Sequence, residues 1–430
     1  MKETTKKIAS NMSWIMVGRV LQLGLTFIST MFVARYLGPT EFGKMNYIYS
    51  YIQLFIPICQ MGLNSTVVKE LREYKDNNDE VLGTILVIRT LGSIVAMTCS
   101  VLLISSLSKE GYTTIAILQS FALLFQSFDC LIYFFQTRYL SVKSGSVIAI
   151  SYILTSIFRI VAILLKKDVR WFSFALSLDY IVMAILLIGV YFKDKNKLKF
   201  SYDMAKKLLK NSYHYILATI LVVIYGKVTD TLLIGRMLNE TAVGYYSAAI
   251  TLNNAWPFIL TAIIDSSSPM IIDLFKTDKQ AFNKRLKQLY AMVFYVGIAA
   301  AVGITVLANI IIGILYGANY APSVLPLRIA SWSSAFAYIG VARSIWLQCN
   351  NKNKYETYIS LFGAIINISL NYVLIGKFGI NGAATALLLT QFLTNFVFLF
   401  MMKETRENAK LILDAILLKD VFNKEEKSNV

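Results

Sequence analysis

The sequence predicts an all-α polytopic membrane protein, with twelve transmembrane helices in two parallel six-helix bundles around a central cavity. Three observations carry that prediction. Of the 430 residues, 56% are hydrophobic and only 16% charged, where a soluble domain holds about a quarter charged; mean hydropathy is +0.58. The apolar residues fall into twelve runs, each near the roughly 20 residues that a hydrocarbon core about 30 Å thick asks of a helix. The two halves of the chain also repeat.

Taken in order, the first run, 12–34, follows Lys2, Lys6 and Lys7. It is a full span with no good small-residue cleavage site after it, so it reads as a helix that stays in the membrane. Its Arg19, Gln22, Thr26, Ser29 and Thr30 fall within about 100° of arc when a helix advances about 100° per residue. The second and third runs are 43–68 and 81–107, with Arg89 inside the third. In the fourth, 113–137, one face holds Gln119, Gln126, Asp129, Tyr133 and Gln136. In the fifth, 145–166, one face holds Tyr152, Thr155, Ser156 and Arg159. The sixth, 170–192, contains Asp179, and the seventh, 211–235, carries a stripe of Thr219, Lys227, Asp230 and Thr231. The eighth and ninth are 243–268 and 289–316. The tenth, 324–349, has Arg328 and Arg343 near opposite ends, and 355–376 and 379–402 complete the set. The domains expected are an N-terminal bundle, 1–192; a basic linker, 193–210; a C-terminal bundle, 211–402; and a cytoplasmic tail, 403–430.

The repeat shows in residues. Arg35, Leu37, Thr40 and Gly43 coincide with Arg236, Leu238, Thr241 and Gly244 at an offset of 201. That offset maps Thr26 onto Lys227, Ser29 onto Asp230 and Thr30 onto Thr231. Later the offset becomes 212, pairing Gln136 with Gln348, Thr155 with Asn367 and Arg159 with Asn371. Six helices per half give both halves one orientation, a parallel repeat whose substrate site is expected at the interface, near the midplane.

Charge sets the topology. Placing the N-terminus inside puts 28 Lys and Arg in cytoplasmic segments against 8 outside, as the positive-inside rule asks. Both termini are then cytoplasmic. The loop 166–170 runs against the bias locally, and the linker 193–210, with seven lysines, reads as an inside anchor or a contact for anionic lipid. The net charge of +17 does not indicate nucleic acid, because the basic residues lie in short loops between membrane segments.

With Lys44, Lys166 and Arg170 at span edges counted to the outside segments, six cations lie inside the spans: Arg19, Arg89, Arg159, Lys227, Arg328 and Arg343. Facing lipid, they would cost on the order of 15–20 kcal/mol gross, so a shared wet interior is expected, a pathway for something anionic. Gln22, Thr26, Gln126, Asn367 and Asn371 would make that lumen polar. Bland readings stand beside this one. Asp129 with Arg159, or Lys227 with Asp230 at i,i+3, would be structural pairs. Arg89, Arg328 and Arg343 would snorkel to headgroups. Cys59, Cys99, Cys130 and Cys349 are scattered singly and His214 is the lone histidine, so no metal site is expected. No GxxxxGK[ST] phosphate loop occurs and no loop is long enough for an extramembrane active site, so the chain is not expected to be an enzyme.

Four segments in register carry a family resemblance. Ala34-Arg35-Tyr36-Leu37-Gly38-Pro39-Thr40-Glu41-Phe42-Gly43 resembles the signature after the first helix of Wzx-type polysaccharide repeat-unit flippases. Ile234-Gly235-Arg236 with Val243-Gly244-Tyr245-Tyr246-Ser247-Ala248-Ala249, Leu315–Pro322 and Phe378–Ala384 are similar to later motifs of the same family. In this sequence Gly38 and Gly43 read as turn residues. The resemblance implies the multidrug/oligosaccharidyl-lipid/polysaccharide exporter fold and the transfer of undecaprenyl-diphosphate-linked glycans across the inner membrane, for O-antigen, capsule or another glycan. Lipid II flippases of that superfamily usually carry fourteen helices rather than twelve. The diphosphate would meet the six cations, whose arginines suit phosphate through their planar fork. Asp230, Asp129 and Asp179 are candidate carriers of H+ or Na+, and no cofactor is expected. Expected partners are the lipid-linked oligosaccharide, membrane lipids, and assembly proteins such as a polymerase and a chain-length regulator. A cation-coupled multidrug exporter of the same fold, or a membrane glycosyltransferase or polymerase, is the alternative. The first would favour an acidic cavity, and the second a larger outer loop.

Overall fold

The computed structural model describes residues 2–74, 77–107, 109–210, 212 and 229–419; the side chains of 2–17, 19 and 64–66 fall outside that description. The described residues form helices and no strand. The chain divides into two compact units, Met1–Leu232 and Leu233–Val430.

Unit 1 begins with α1, Lys2–Gln53, which is two helices joined at Gly38 (φ 72°, ψ 170°). Glycine takes that backbone state without steric cost. Pro39 follows at the start of the second limb, where a missing N–H is harmless. Gly43, expected to share the turn, has helical backbone instead. The predicted second span, 43–68, is broken. Its first limb ends at Gln53, a short α2 runs Ile56–Gln60, and α3 runs Asn64–Glu73. Met61 and Gly62 both have positive φ and end α2, so a hydropathy window reads through a break that local backbone chemistry makes.

Next come α4 (Asn78–Ser105), α5 (Tyr112–Gln126), α6 (Cys130–Thr137), α7 (Ser141–Leu164) and α8 (Val169–Lys193). A tight turn over Ser127–Asp129 interrupts the predicted fourth span between α5 and α6. After α8 the basic segment lies down on α4. Lys199 N–H donates to the Asp79 carbonyl at 3.0 Å, and Ser201 N–H to Thr84 Oγ1 at 3.0 Å. Gly83 makes this possible: a Cβ there would sit 2.2 Å from the Lys199 carbonyl oxygen. A helix α9 over 202–210 follows. Its Leu208 is buried with Leu63, Val67 and Leu71 of the α3 region and Leu82 and Ile85 of α4, and Lys207 bonds to Glu70 at 3.3 Å and to the Tyr74 hydroxyl at 2.7 Å.

The helix α10 is described over Thr229–Met237, its first four residues in unit 1 and the rest in unit 2, with most of the predicted seventh span outside the described residues. The eighth span divides at Trp256–Pro257 into α11 (Glu240–Ala255) and α12 (Phe258–Thr277). The ninth starts ten residues early as α13, Lys279–Leu315. The tenth opens as a tight turn over Ala318–Ser323 and continues as α14 (Val324–Ser331) and α15 (Ser333–Cys349). The last two spans merge in α16, Lys354–Phe392, across a second glycine kink at Gly379. A π turn, Leu393–Val397, leads to α17, Phe398–Met401. The tail is not simply a tail. Its α18, Arg406–Ile416, buries Ala409, Ile412 and Ala415 against the core of unit 2, and Asn408 donates to the Tyr290 hydroxyl at 2.7 Å.

Nine helical stretches among the described residues are long and apolar enough to cross a membrane. Two of them, Val20–Gln53 and Lys354–Met401, each hold helices on both sides of a glycine kink. With the seventh span largely undescribed, the count is consistent with twelve.

Candidate functional site

Unit 1 carries two buried arginines, each against a carboxylate. Arg159 on α7 is 3% exposed. Its Nη2 donates to Asp179 Oδ2 on α8 at 2.6 Å, and its Nη1 to Ser29 Oγ on α1 at 2.8 Å. Thr155, one turn back on α7, donates to the other oxygen of Asp179. Further along the same α1–α7 seam, Gln22 Nε2 donates to the Tyr152 hydroxyl at 2.7 Å. The two stripes read from the first and fifth spans therefore face each other. Ser29 Oγ donates in turn to the Thr26 carbonyl at 3.2 Å, and Thr26 is half-buried on that seam.

The second pair is Arg89 on α4 with Asp129, at 2.7 Å. Arg89 is fully buried. The tight turn between α5 and α6 ends at Asp129, so the break that hydropathy missed is what presents this carboxylate. Gln126, the last residue of α5, is buried beside the turn. The expected pairing of Asp129 with Arg159 is thus corrected: each belongs to a different pair. The snorkelling reading of Arg89 is also set aside, because a guanidinium with no exposure reaches no headgroup.

In unit 2, Arg343 on α15 is 1% exposed. Its Nη2 donates to both carboxylate oxygens of Glu356 at 3.2 Å; Glu356 stands in the first turn of α16. Its Nη1 donates to Asn395 Oδ1 at 3.1 Å, and Asn395 donates to Gln391 Oε1 at 2.8 Å. Asn395 lies on the π turn, a local widening that recurs at functional positions in helices. Snorkelling does not describe Arg343 either. Arg328 on α14 is half-buried and donates from Nε to the Thr305 carbonyl of α13 at 3.0 Å. Asn367 and Asn371 are buried on α16, and Asn371 donates to the Asn367 carbonyl at 2.9 Å. Asp230 is half-buried on α10. Lys227 lies outside the described residues, as does the side chain of Arg19.

Sequence reasoning missed Glu356, Asn395 and Gln391, because each sits near a helix end or a break that hydropathy does not mark. It also passed over Tyr49 and Tyr180, two half-buried tyrosines near each other and near Asp179. Among the described residues no group of histidine, cysteine, aspartate and glutamate could hold a metal ion.

The helices define a multi-pass helical membrane protein, with arginine–carboxylate pairs packed inside its units. Solved structures agree. A lipid II flippase MurJ in an inward closed conformation superposes with TM-score 0.74 at 16% identity, over 97% of this chain and 94% of that one. An inward-facing multidrug resistance MATE family transporter of the MOP superfamily gives TM-score 0.72 at 12% identity, over 91% and 96%. Residues 8–275 match the polysaccharide biosynthesis protein family, and the chain belongs to that family. An Escherichia coli protein assigned as an O-antigen transporter is 21% identical over 89% of this chain and 93% of its own length. A Haloferax volcanii protein assigned as a low-salt glycan biosynthesis flippase is 24% identical over 43% of this chain and 39% of its own. These relatives are transporters and flippases, not enzymes.

Proposed function

We propose that this protein is a flippase. It moves undecaprenyl-diphosphate-linked oligosaccharide repeat units from the cytoplasmic to the outer leaflet of the inner membrane, by alternating access, for surface polysaccharide synthesis. The observation that carries this reading is family membership in a chain whose membrane-depth charges are mainly cationic. Six Lys and Arg stand well inside the predicted spans against Asp129, Asp179, Asp230 and Asp265, with Glu356 at the edge of the eleventh. The diphosphate is held by Arg19, Arg89, Arg159, Lys227, Arg328 and Arg343, and the sugar rides over Gln22, Thr26, Gln126, Asn367 and Asn371. In this reading the diphosphate competes with Asp129 and Asp179 for Arg89 and Arg159. That competition, together with Asp230, makes these carboxylates the candidate carriers of H+ or Na+. Both termini are cytoplasmic, and polysaccharide polymerase and chain-length regulator are the neighbouring proteins.

The test is to delete the gene and identify which lipid-linked saccharide accumulates on the cytoplasmic side. Restoration by the wild-type chain is expected. Arg19→Ala is expected to abolish export at normal membrane abundance. Arg19→Lys should rescue only in part, because a point charge does not reproduce a two-oxygen grip on phosphate. Full export by the alanine variant removes Arg19 from the site.

The MATE-like fold favours one second reading, a cation-coupled multidrug exporter. It predicts cationic-drug sensitivity in the deletion strain with no lipid-linked saccharide accumulating.

A further inference from the structure

Unit 1 has a cavity at the end opposite the 193–210 segment. It measures about 520 Å³. Three connections meet there: the Gly38 kink of α1, the turn before α5, and the loop 166–170 between α7 and α8. Lys44, Lys166, Lys167 and Arg170 line it, with Glu41 and Asp168. Arg170 lies 3.7 Å from Asp168, so those two largely offset each other. Lys44, Lys166 and Lys167 against Glu41 leave a surplus of two positive charges, which matches a phosphate group carrying up to two negative ones.

The loop is held in shape. The Tyr36 hydroxyl donates to the Lys167 carbonyl at 3.0 Å, and the Tyr36 ring packs on Phe172 with centroids 5.5 Å apart. Lys166 takes a left-handed backbone (φ 50°), and the Lys167 N–H closes α7 on the Ala162 carbonyl at 2.9 Å. The loop also sits at the boundary of the apolar belt. Leu164 and Leu165, just before it, are 74% and 62% exposed, and Trp171, just after it, is 45% exposed. Leucines that exposed suit hydrocarbon, and tryptophan suits the headgroup layer. Lys167 Nζ stands 4.9 Å from the Trp171 ring, so its charge is at headgroup depth.

We propose that this cavity binds the phosphate of a membrane lipid headgroup, with Lys44, Lys166 and Lys167 as the cations that hold it. The site lies wholly within unit 1 and is separate from the transport reading, since it needs only a bilayer. The shared chemistry is phosphate, from a lipid or free in solution, and the headgroup-level placement favours the lipid.

The experiment uses the full chain in phosphatidylcholine nanodiscs containing phosphatidic acid with a photoreactive acyl chain. Crosslinked peptides are mapped by mass spectrometry. Wild type is expected to label around 164–171. The triple variant Lys44→Gln, Lys166→Gln and Lys167→Gln should lose that label by at least about tenfold. Labelling elsewhere, including 193–210, should stay unchanged and so reports an intact fold. The Lys→Arg triple at the same positions should keep the label. Equal labelling in the glutamine triple overturns the site. A second arm titrates inorganic pyrophosphate calorimetrically. Binding of pyrophosphate that needs the three lysines, with a lipid label that does not, overturns the lipid source in favour of a soluble phosphate.

Discussion

A buried guanidinium has few ways to exist at membrane depth, and Arg159 uses the commonest: a carboxylate on one edge and a hydroxyl on the other. Removing one partner leaves the other charge uncompensated. Asp179→Ala is therefore expected to cost about 3–5 kcal/mol, whereas Arg159→Met with Asp179→Leu should recover most of the loss, because an ion pair can be exchanged for packing. Thermal unfolding of the detergent-purified protein decides it; a double variant no more stable than the single one rejects the pairing as the source of the loss. If the double variant folds but no longer exports, the pair serves transport rather than scaffold. The sequence made the cations easy to find, since an arginine within an apolar run stands out. It did not reveal their partners. Asp129 and Arg159 fall on neighbouring predicted spans, yet Asp129 turns to Arg89 of α4 and Arg159 to Asp179 of α8. Which helices are neighbours, and with what rotation, is set by packing that hydropathy does not report.

At the scale of elements, hydropathy located the spans and missed the joints. The breaks at Met61–Gly62, Ser127–Asp129, Trp256–Pro257 and Leu393–Val397 fall inside apolar runs, and their cause is local: left-handed residues, a proline, or a widened turn. Some of them matter to the candidate site, because Asp129 and Asn395 sit on such joints. The same scale explains the docked basic segment. Gly83 lets the backbone of Lys199 approach α4 more closely than any side chain permits. Gly83→Ala should therefore lift 196–201 off α4. The expected readout is faster trypsin cleavage at Lys193, Lys195, Lys197 and Lys199 in membrane vesicles opened to their cytoplasmic face. An unchanged cleavage rate would show that the segment is held from elsewhere, with Leu208 and Lys207 the next anchors to remove.

For the whole molecule, topology is the property that function depends on, and it rests on counting. The two glycine kinks join consecutive spans almost without a loop, so helix number and charge must together assign each end to a side. The 28-to-8 excess of Lys and Arg predicts that 193–210 and both termini face the cytoplasm. The basic loop 166–170 is the local exception, and a phosphate to hold would explain why its charge is kept on the disfavoured side. Orientation follows the summed bias, so this loop should not invert the chain. Two exposed positions test it. Tyr202 is 75% exposed at the start of α9, and Asn319 is exposed in the turn after α13. In a background with Cys59, Cys99, Cys130 and Cys349 replaced by serine, Asn319→Cys should react with an impermeant thiol reagent in intact cells. Tyr202→Cys should react only after permeabilisation. The reverse pattern would place the substrate-loading side outside, and outward delivery of a glycan made in the cytoplasm could not then be the direction of transport.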